Sequence, residues 1–296
     1  MKLLFKIFLL LQIFAILIFI TYNFNLNTFN PFIIYSSLLI QTKDLKIFCF
    51  IKTNPSNLYS RVPQSYENCM KYCTDHRYVT IFDNKTLNLT YKFLHPSNWF
   101  KENYGKLTTK VYNGFLDTKS FSLFDWYLFA DDDTFVHMKN LFLFLQDKNK
   151  SSPVMYGHHF GAIGGFLSGG AGFVFSQESY KRLIHRLSTN ITLCSNGGID
   201  DLDLSHCLKA SGSFIGDTRD EYGYERFHPG NFDGHYYGDP SKASYANYKQ
   251  YNGSKCSSKS WISFHTKHDK RPWNQMIDYI DSMLKNQSNI FTNVTV

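Results

Sequence analysis

From residue 45 onward, short apolar runs of strand length alternate with stretches in which apolar residues recur at helical spacing. Lys46 to Lys52 reads Ile-Phe-Cys-Phe-Ile between two lysines and predicts a strand, closed by the turn Thr53-Asn54-Pro55. Ser60 to Tyr72 is expected as a helix and Tyr78 to Phe82 as a second strand, followed by an irregular, glycosylated loop over 83–98. Trp99 to Leu116 reads as helical despite Gly105 and Gly114. Leu123 to Ala130 has the length and aromatic content of a buried strand. Met138 to Gln146 spaces Leu141, Phe142 and Leu145 for a helix face packed on a core. Met155 and Tyr156 open a short strand, glycines crowd the stretch from Gly157 to Gly172, and Phe173 to Phe175 resumes as strand. Helices are expected over Gln177 to Leu187, Asp200 to Ala210 and Trp273 to Lys285. Residues 211–260 read mostly as loop, and Trp261 to Phe264 as a last strand ending in His265. Strands alternating with helices predict an α/β fold.

The first residues follow another pattern. Lys2 and Lys6 precede or interrupt an apolar run from Leu3 to Ile20, in which Gln12 is the further polar residue. A run of about 18 residues can just span the hydrocarbon core of a bilayer. Lysines on its N-terminal side favour a cytosolic N-terminus, and no small-x-small cleavage site follows in Thr21-Tyr22-Asn23-Phe24. The expected organisation is a cytosolic tip and uncleaved signal anchor over 1–22, a short stem over 23–44, a catalytic domain over 45–285 and a tail over 286–296. The body would then be luminal. Six cysteines without Cys-x-x-Cys spacing agree with that compartment. So do the Asn-x-Ser/Thr sequons at Asn84, Asn88, Asn149, Asn190, Asn252, Asn286 and Asn293. The net charge of +7 is spread without a long basic run. That points away from nucleic acid and suits anionic substrates such as nucleotide sugars.

Chemistry concentrates where the Leu123–Ala130 run stops, at Asp131-Asp132-Asp133. Open α/β sheets bind ligands beyond the carboxyl ends of their strands. There, Asp131 and Asp133 would project to one side of an extended segment. Three adjacent anions repel unless a cation neutralises them, and oxygen ligands suit Mn²⁺ or Mg²⁺. Ser168-Gly169-Gly170-Ala171-Gly172 lets backbone approach a ligand closely. It is neither a Walker loop, since no Lys follows, nor a dinucleotide fingerprint. Gly198-Ile199-Asp200-Asp201-Leu202 places two carboxylates at a helix start, either as a cap or with one as a general base. His265, ending an apolar strand, suits a metal ligand. His228, in Phe227-His228-Pro229, reads as structural.

Taken together and in order, these pieces resemble the β1,3-glycosyltransferases of family 31, nearest to the core 1 β1,3-galactosyltransferase branch, with the fringe proteins as cousins. The matching segments are Asp125-Trp126, Ala130 to Val136, Ser168 to Val174, Ile199 to Leu202 with Cys207, Gly216 to Asp220, Phe227 to Pro229 and Ser263 to His265. The resemblance spans about residues 45–270. It implies a GT-A fold, a mixed sheet flanked by helices with a nucleotide-sugar site at strand ends, and an inverting displacement. Asp131 to Asp133 would hold Mn²⁺, or Mg²⁺, on the UDP diphosphate, with Asp133 and His265 as the direct ligands beside Asp131. Asp132 and, after the first strand, Thr53 would meet the donor nucleotide. Gly169, Gly170, Ala171 and Gly172 would line the donor sugar. Asp201 would be the general base, and Asp200 would orient backbone or acceptor hydroxyls. The implied donor is UDP-galactose and the acceptor an O-GalNAc glycoprotein, met in the Golgi or ER by a single-pass type II membrane protein; a homodimer is compatible with this. Alternatives are a fringe-like N-acetylglucosaminyltransferase and a chaperone-like relative without catalysis. Disulfides Cys194–Cys207 and Cys49–Cys73 are implied, leaving Cys69 and Cys256 by elimination. The chain departs from the family at Phe129, where the family has Lys before Ala-Asp-Asp-Asp, at Cys69, where it has Trp, and at Gly161 to Gly165, where it has basic residues.

Overall fold

The computed structural model describes residues 45–82, 91–99, 101–243, 246–267 and 269–285. The expected anchor, stem and tail, and the sequons at Asn84, Asn88, Asn286 and Asn293, lie outside the described residues. In chain order the elements are β1 (Ile47–Lys52), α1 (Arg61–Asn68), β2 (Asp75–Val79), β3 (Phe93–Leu94), α2 (Leu107–Asp117), β4 (Trp126–Asp131), β5 (Thr134–Val136) and α3 (Met138–Leu145). There follow β6 (Val154–Gly157), β7 (His159–Phe160), β8 (Phe166–Leu167), β9 (Phe173–Ser176), α4 (Gln177–Thr189) and α5 (Asp200–Ala210). The last are β10 (Phe214–Ile215), β11 (Phe227–His228), α6 (Phe232–Tyr237), β12 (Ser263–His265) and α7 (Met276–Lys285).

Among the described residues a seven-stranded sheet runs in the order β10-β6-β9-β4-β1-β2-β3. β1 is parallel to β2 and β4, whereas β9 is antiparallel to β4 and β6, so the sheet is mixed. Both faces of β1 are covered, which explains its unbroken apolar run. Ile47, Cys49 and Ile51 pack with Val62 of α1, Leu141 and Leu145 of α3 and Ile280 of α7. Phe48 and Phe50 pack with Val111 and Phe115 of α2, Leu183 of α4 and Leu204 of α5. Burying one such aromatic side chain contributes roughly 1.5–3 kcal/mol. The fold is thus the expected α/β type, a mixed central sheet between helices. A second sheet runs in the order β11-β12-β5, its strand β5 following β4 after the turn Asp132-Asp133.

Several boundaries differ from the sequence reading. The Ser60–Tyr72 helix stops at Asn68, and a 3₁₀ turn over Met70–Tyr72 leads into Cys73. The second strand lies earlier than Tyr78–Phe82. Cys73 is bonded to Cys49 and Thr74 N donates to Ile47 O (2.9 Å), which sets polar Asp75-His76-Arg77 in register with β1. Helix α2 begins eight residues late because the Asn103 carboxamide accepts from Gly105 N (2.9 Å), fixing a 3₁₀ turn instead. The stretch 211–260 holds β10, β11 and α6. Cys194–Cys207 is also bonded. Cys69 and Cys256, in contrast, are buried free thiols and not a pair. Cys69 Sγ instead accepts from Val136 N (3.3 Å), and burial pushes both thiols up to about 12.

Candidate active site

The acidic triplet straddles the two sheets. β4 ends at Asp131, and β5 begins at Thr134, opposite His265 in antiparallel β12. This register makes Asp133 and His265 neighbours. Thr266 clamps the turn, donating from N (2.8 Å) and Oγ1 (2.7 Å) to Asp133 O. Asp131, Asp133 and His265 each offer one ligand atom, all within 4.8 Å of one another. His265 Nε2 lies 3.1 Å from Asp133 Oδ1. Asp131 Oδ1 is buried without a hydrogen bond of good geometry, although the Lys52 ammonium stands 2.9 Å away. Two carboxylates and one imidazole, one carboxylate oxygen being buried beside the Lys52 ammonium, fit a divalent cation such as Mn²⁺.

Electrostatics follow from these contacts. Burial alone would raise the Asp133 pKa. The hydrogen bond and charge of His265 and the nearby Arg61 guanidinium outweigh it, and the carboxyl is held below its ordinary value. His265 shifts the other way: burial lowers it, but Asp133 and then Asp131 raise it above the ordinary histidine value. Asp132 points elsewhere. It is buried, accepts from Thr53 Oγ1 (2.5 Å), Asn57 Nδ2 (2.8 Å) and Arg61 Nη1 (3.2 Å), and its pKa is raised chiefly by burial. It thereby pins the β1–α1 loop beside the cluster.

The two acids at the start of α5 have different surroundings. Asp200 is buried, takes the Lys52 ammonium at 2.5 Å, and is raised in pKa, burial first, against the pull of Lys52. Asp201 is half-exposed; its Oδ2 accepts from Gly169 N (2.9 Å) and its Oδ1 from Leu202 N (2.8 Å). Glycine is required at two places in the facing loop. A Cβ on Gly169 would lie 2.9 Å from Asp201 Cβ, and one on Gly170 would lie 2.5 Å from His265 Nδ1. The loop therefore seats the acid and the histidine. Ala171 and Gly172 are buried behind it, where Ala171 O accepts from Ser263 Oγ (2.5 Å).

Two adjoining cavities share Lys52, Asp131, His265 and Lys267. One, of about 750 Å³, reaches Ser168, Gly169, Gly170, Asp200 and Asp201, with a far wall from Pro229 to Asp239. The other, of about 700 Å³, is lined by Thr53 to Asn57, Arg61, Tyr104, Lys110 and Asp131 to Asp133. The expected site residues thus gather at the meeting of the two cavities, with Ala171 and Gly172 behind the wall. Sequence reading missed Arg61, which bridges Asp132 and Asp133, and Lys110, whose buried ammonium holds Thr53 O (2.5 Å) and Glu102 (2.7 Å). It also missed Lys52. The signal was present, a lysine at the end of an apolar strand level with an acidic strand end, but visible only once β1 and β4 are known to be paired.

Comparison with known proteins places the chain in a class. Residues 98–187 match the galactosyltransferase family model. With the relatives below, this match supports a glycosyltransferase and fits family 31. Among particular proteins, it is similar to glycoprotein-N-acetylgalactosamine 3-beta-galactosyltransferase 1 of Xenopus laevis. The identity is 27% over 234 residues, 76% of this chain and 63% of that protein. It is also similar to the beta-1,3-glucosyltransferases of Mus musculus and Homo sapiens, 34% and 33% identical over 92 residues, 29% of this chain and 18% of theirs. The matched region thus spans less than two thirds of each relative's own length.

Proposed function

We propose that this chain is an inverting, cation-dependent β1,3-galactosyltransferase of GT-A type, transferring galactose from UDP-galactose to O-linked GalNAc on glycoproteins. In this reading residues 1–22 anchor it in the Golgi or ER membrane, and the catalytic domain faces the lumen. The observation that carries the proposal is the Asp131–Asp133–His265 cluster set across one cavity from Asp201, which is itself seated on Gly169.

Asp131, Asp133 and His265 would hold the cation, which when bound takes up charge developing on the leaving diphosphate. Arg61 and Lys267 add positive charge along the path of the phosphates. The cavity beside Thr53 accommodates the nucleotide, and the one beside Gly169 and Gly170 the sugar and acceptor. Asp201 accepts the proton of the acceptor hydroxyl as its oxygen attacks the anomeric carbon and the bond to UDP breaks. Each Asp201 oxygen keeps a lone pair beyond its backbone donor. Asp200 is instead buried and ion-paired with the Lys52 ammonium.

The test is transfer to an O-GalNAc peptide from a panel of UDP-galactose, UDP-glucose and UDP-N-acetylglucosamine, with Mn²⁺ and with EDTA. Galactose transfer that EDTA abolishes is expected. Preferred transfer of glucose would favour the activity named for the mouse and human relatives, and of N-acetylglucosamine a fringe-like one. No transfer from any donor would sink the enzyme reading.

A further inference from the structure

Lys52 stands where the two cavities meet. β1 and β4 run in parallel with Phe50 opposite Phe129 and Lys52 opposite Asp131. Paired and alternate positions share a face, so Phe50, Lys52, Phe129 and Asp131 all project to one side of the sheet. The Lys52 side chain lies across the Phe129 ring, its Nζ 5.8 Å from the centroid. The ammonium stands 2.9 Å from Asp131 Oδ1 and 2.5 Å from Asp200 Oδ2, with 15% of the side chain exposed. It borders both cavities. One cation therefore joins a candidate metal ligand at the end of β4 to the first residue of α5, the helix that carries Asp201. Phe129, beneath it, is the position at which the sequence departs from the pattern Lys-Ala-Asp-Asp-Asp. The positive charge absent from β4 arrives from the neighbouring strand.

We propose that Lys52 is a positioning residue for the transfer reaction, resting on the function proposed above. By gripping Asp200 it fixes the first turn of α5, so that Asp201 stands against Gly169 facing the cavity. By contacting Asp131 it competes with a cation for that carboxylate until substrate arrives. A buried ion pair that only neutralised Asp200 would be replaceable by two neutral groups. A positioning ammonium is not replaceable in that way, but it can be supplied from another point on the same face.

Three variants of the full chain separate these roles. Lys52→Met alone strands Asp200 as a buried charge, so Lys52→Met/Asp200→Asn is the informative removal. It is expected to fold, with circular dichroism and unfolding temperature near wild type. Amide exchange over residues 199–204 should speed up, and Mn²⁺ alone, followed by its electron paramagnetic resonance, should bind at least as tightly. The kcat should fall at least about tenfold, with KM for UDP-galactose nearly unchanged, because orientation rather than donor binding is lost. Lys52→Met/Phe129→Lys returns an ammonium to the face and should recover both the slow amide exchange and most of kcat. Wild-type kcat and unaltered exchange in the neutral double variant would overturn the proposal. So would a folded relocation variant that recovers neither. Wild-type protein that turns over no UDP-sugar would instead sink the function reading, and the exchange and Mn²⁺ measurements would still decide the role of Lys52.

Discussion

Asp200 and Asp201 are neighbours with one chemistry, and their partners divide them. Asp200 is enclosed and holds a lysine, whereas Asp201 rests on two backbone amides and opens to the cavity. Each Asp201 oxygen accepts from a single backbone amide and keeps a lone pair that can take a proton from the cavity side. Asp201→Asn preserves size but cannot take that proton, so kcat is expected to fall by about 10²–10⁴ with donor and Mn²⁺ binding largely intact. Steady-state kinetics with a matched Mn²⁺ titration checks this, and near-wild-type kcat would leave the acid pair as a helix cap. Asp133→Ala should behave oppositely. Mn²⁺ binding is expected to be lost together with transfer, while the cooperative unfolding transition persists, because the side chain lies at a strand end outside both apolar clusters.

At the scale of elements, the site exists because a strand changes sheets. β4 delivers Asp131, the turn carries Asp132 and Asp133, and β5 pairs with β12 so that His265 arrives beside Asp133. The long runs were legible in sequence because burial on two faces writes an unbroken apolar signal. β5 was not, since Thr134-Phe135-Val136 is too short to show a period, and its identity depends on a partner more than 120 residues away. The glycine loop was legible as a place of close approach, but not what approaches. Gly170→Ala tests that. Its Cβ would meet His265 Nδ1 at 2.5 Å, so the ring must turn. Mn²⁺ affinity, read by calorimetry, is expected to weaken by about 10- to 100-fold, the usual effect of losing support behind a metal ligand. An unchanged affinity would remove His265 from the ligand set. The Cys194–Cys207 bridge, with a sequence separation of 13, ties the entry of α5 to its own body. Replacing both cysteines by serine should lower stability by about 3 kcal/mol in urea unfolding.

Across the whole molecule, sequence made the site acids and strand ends legible, but not the buried polar cluster beneath the Pro229–Asp239 wall of the cavity. His158, Glu225 and His228 are scattered over a glycine-rich stretch and a loop, and no local pattern joins them. In the fold all three are buried. Glu225 Oε2 lies 3.9 Å from His158 Nδ1, Gln250 Nε2 lies 3.4 Å from the other Glu225 oxygen, and Asp217 and Arg219 act on it from the loop after β10. Burial pushes the Glu225 carboxyl up to about 7 and His158 down to about 3, and His235, also pressed by burial, down to about 4. The signs oppose. The histidines bind protons only when unfolded between their lowered values and 6.5, so the stability they contribute is lost as pH falls below 6.5. Glu225 binds its proton more tightly when folded, so between 4.5 and about 7 its contribution is lost as pH rises. Glu225→Gln removes the second effect and leaves the first. Thermal unfolding of the two proteins should therefore nearly coincide at pH 4.5. The variant should gain on wild type as pH climbs toward 7, reaching at most about 3 kcal/mol, and the difference should then stay flat. A constant offset at every pH would show that Glu225 titrates alike in the folded and unfolded protein, so that burial does not shift it.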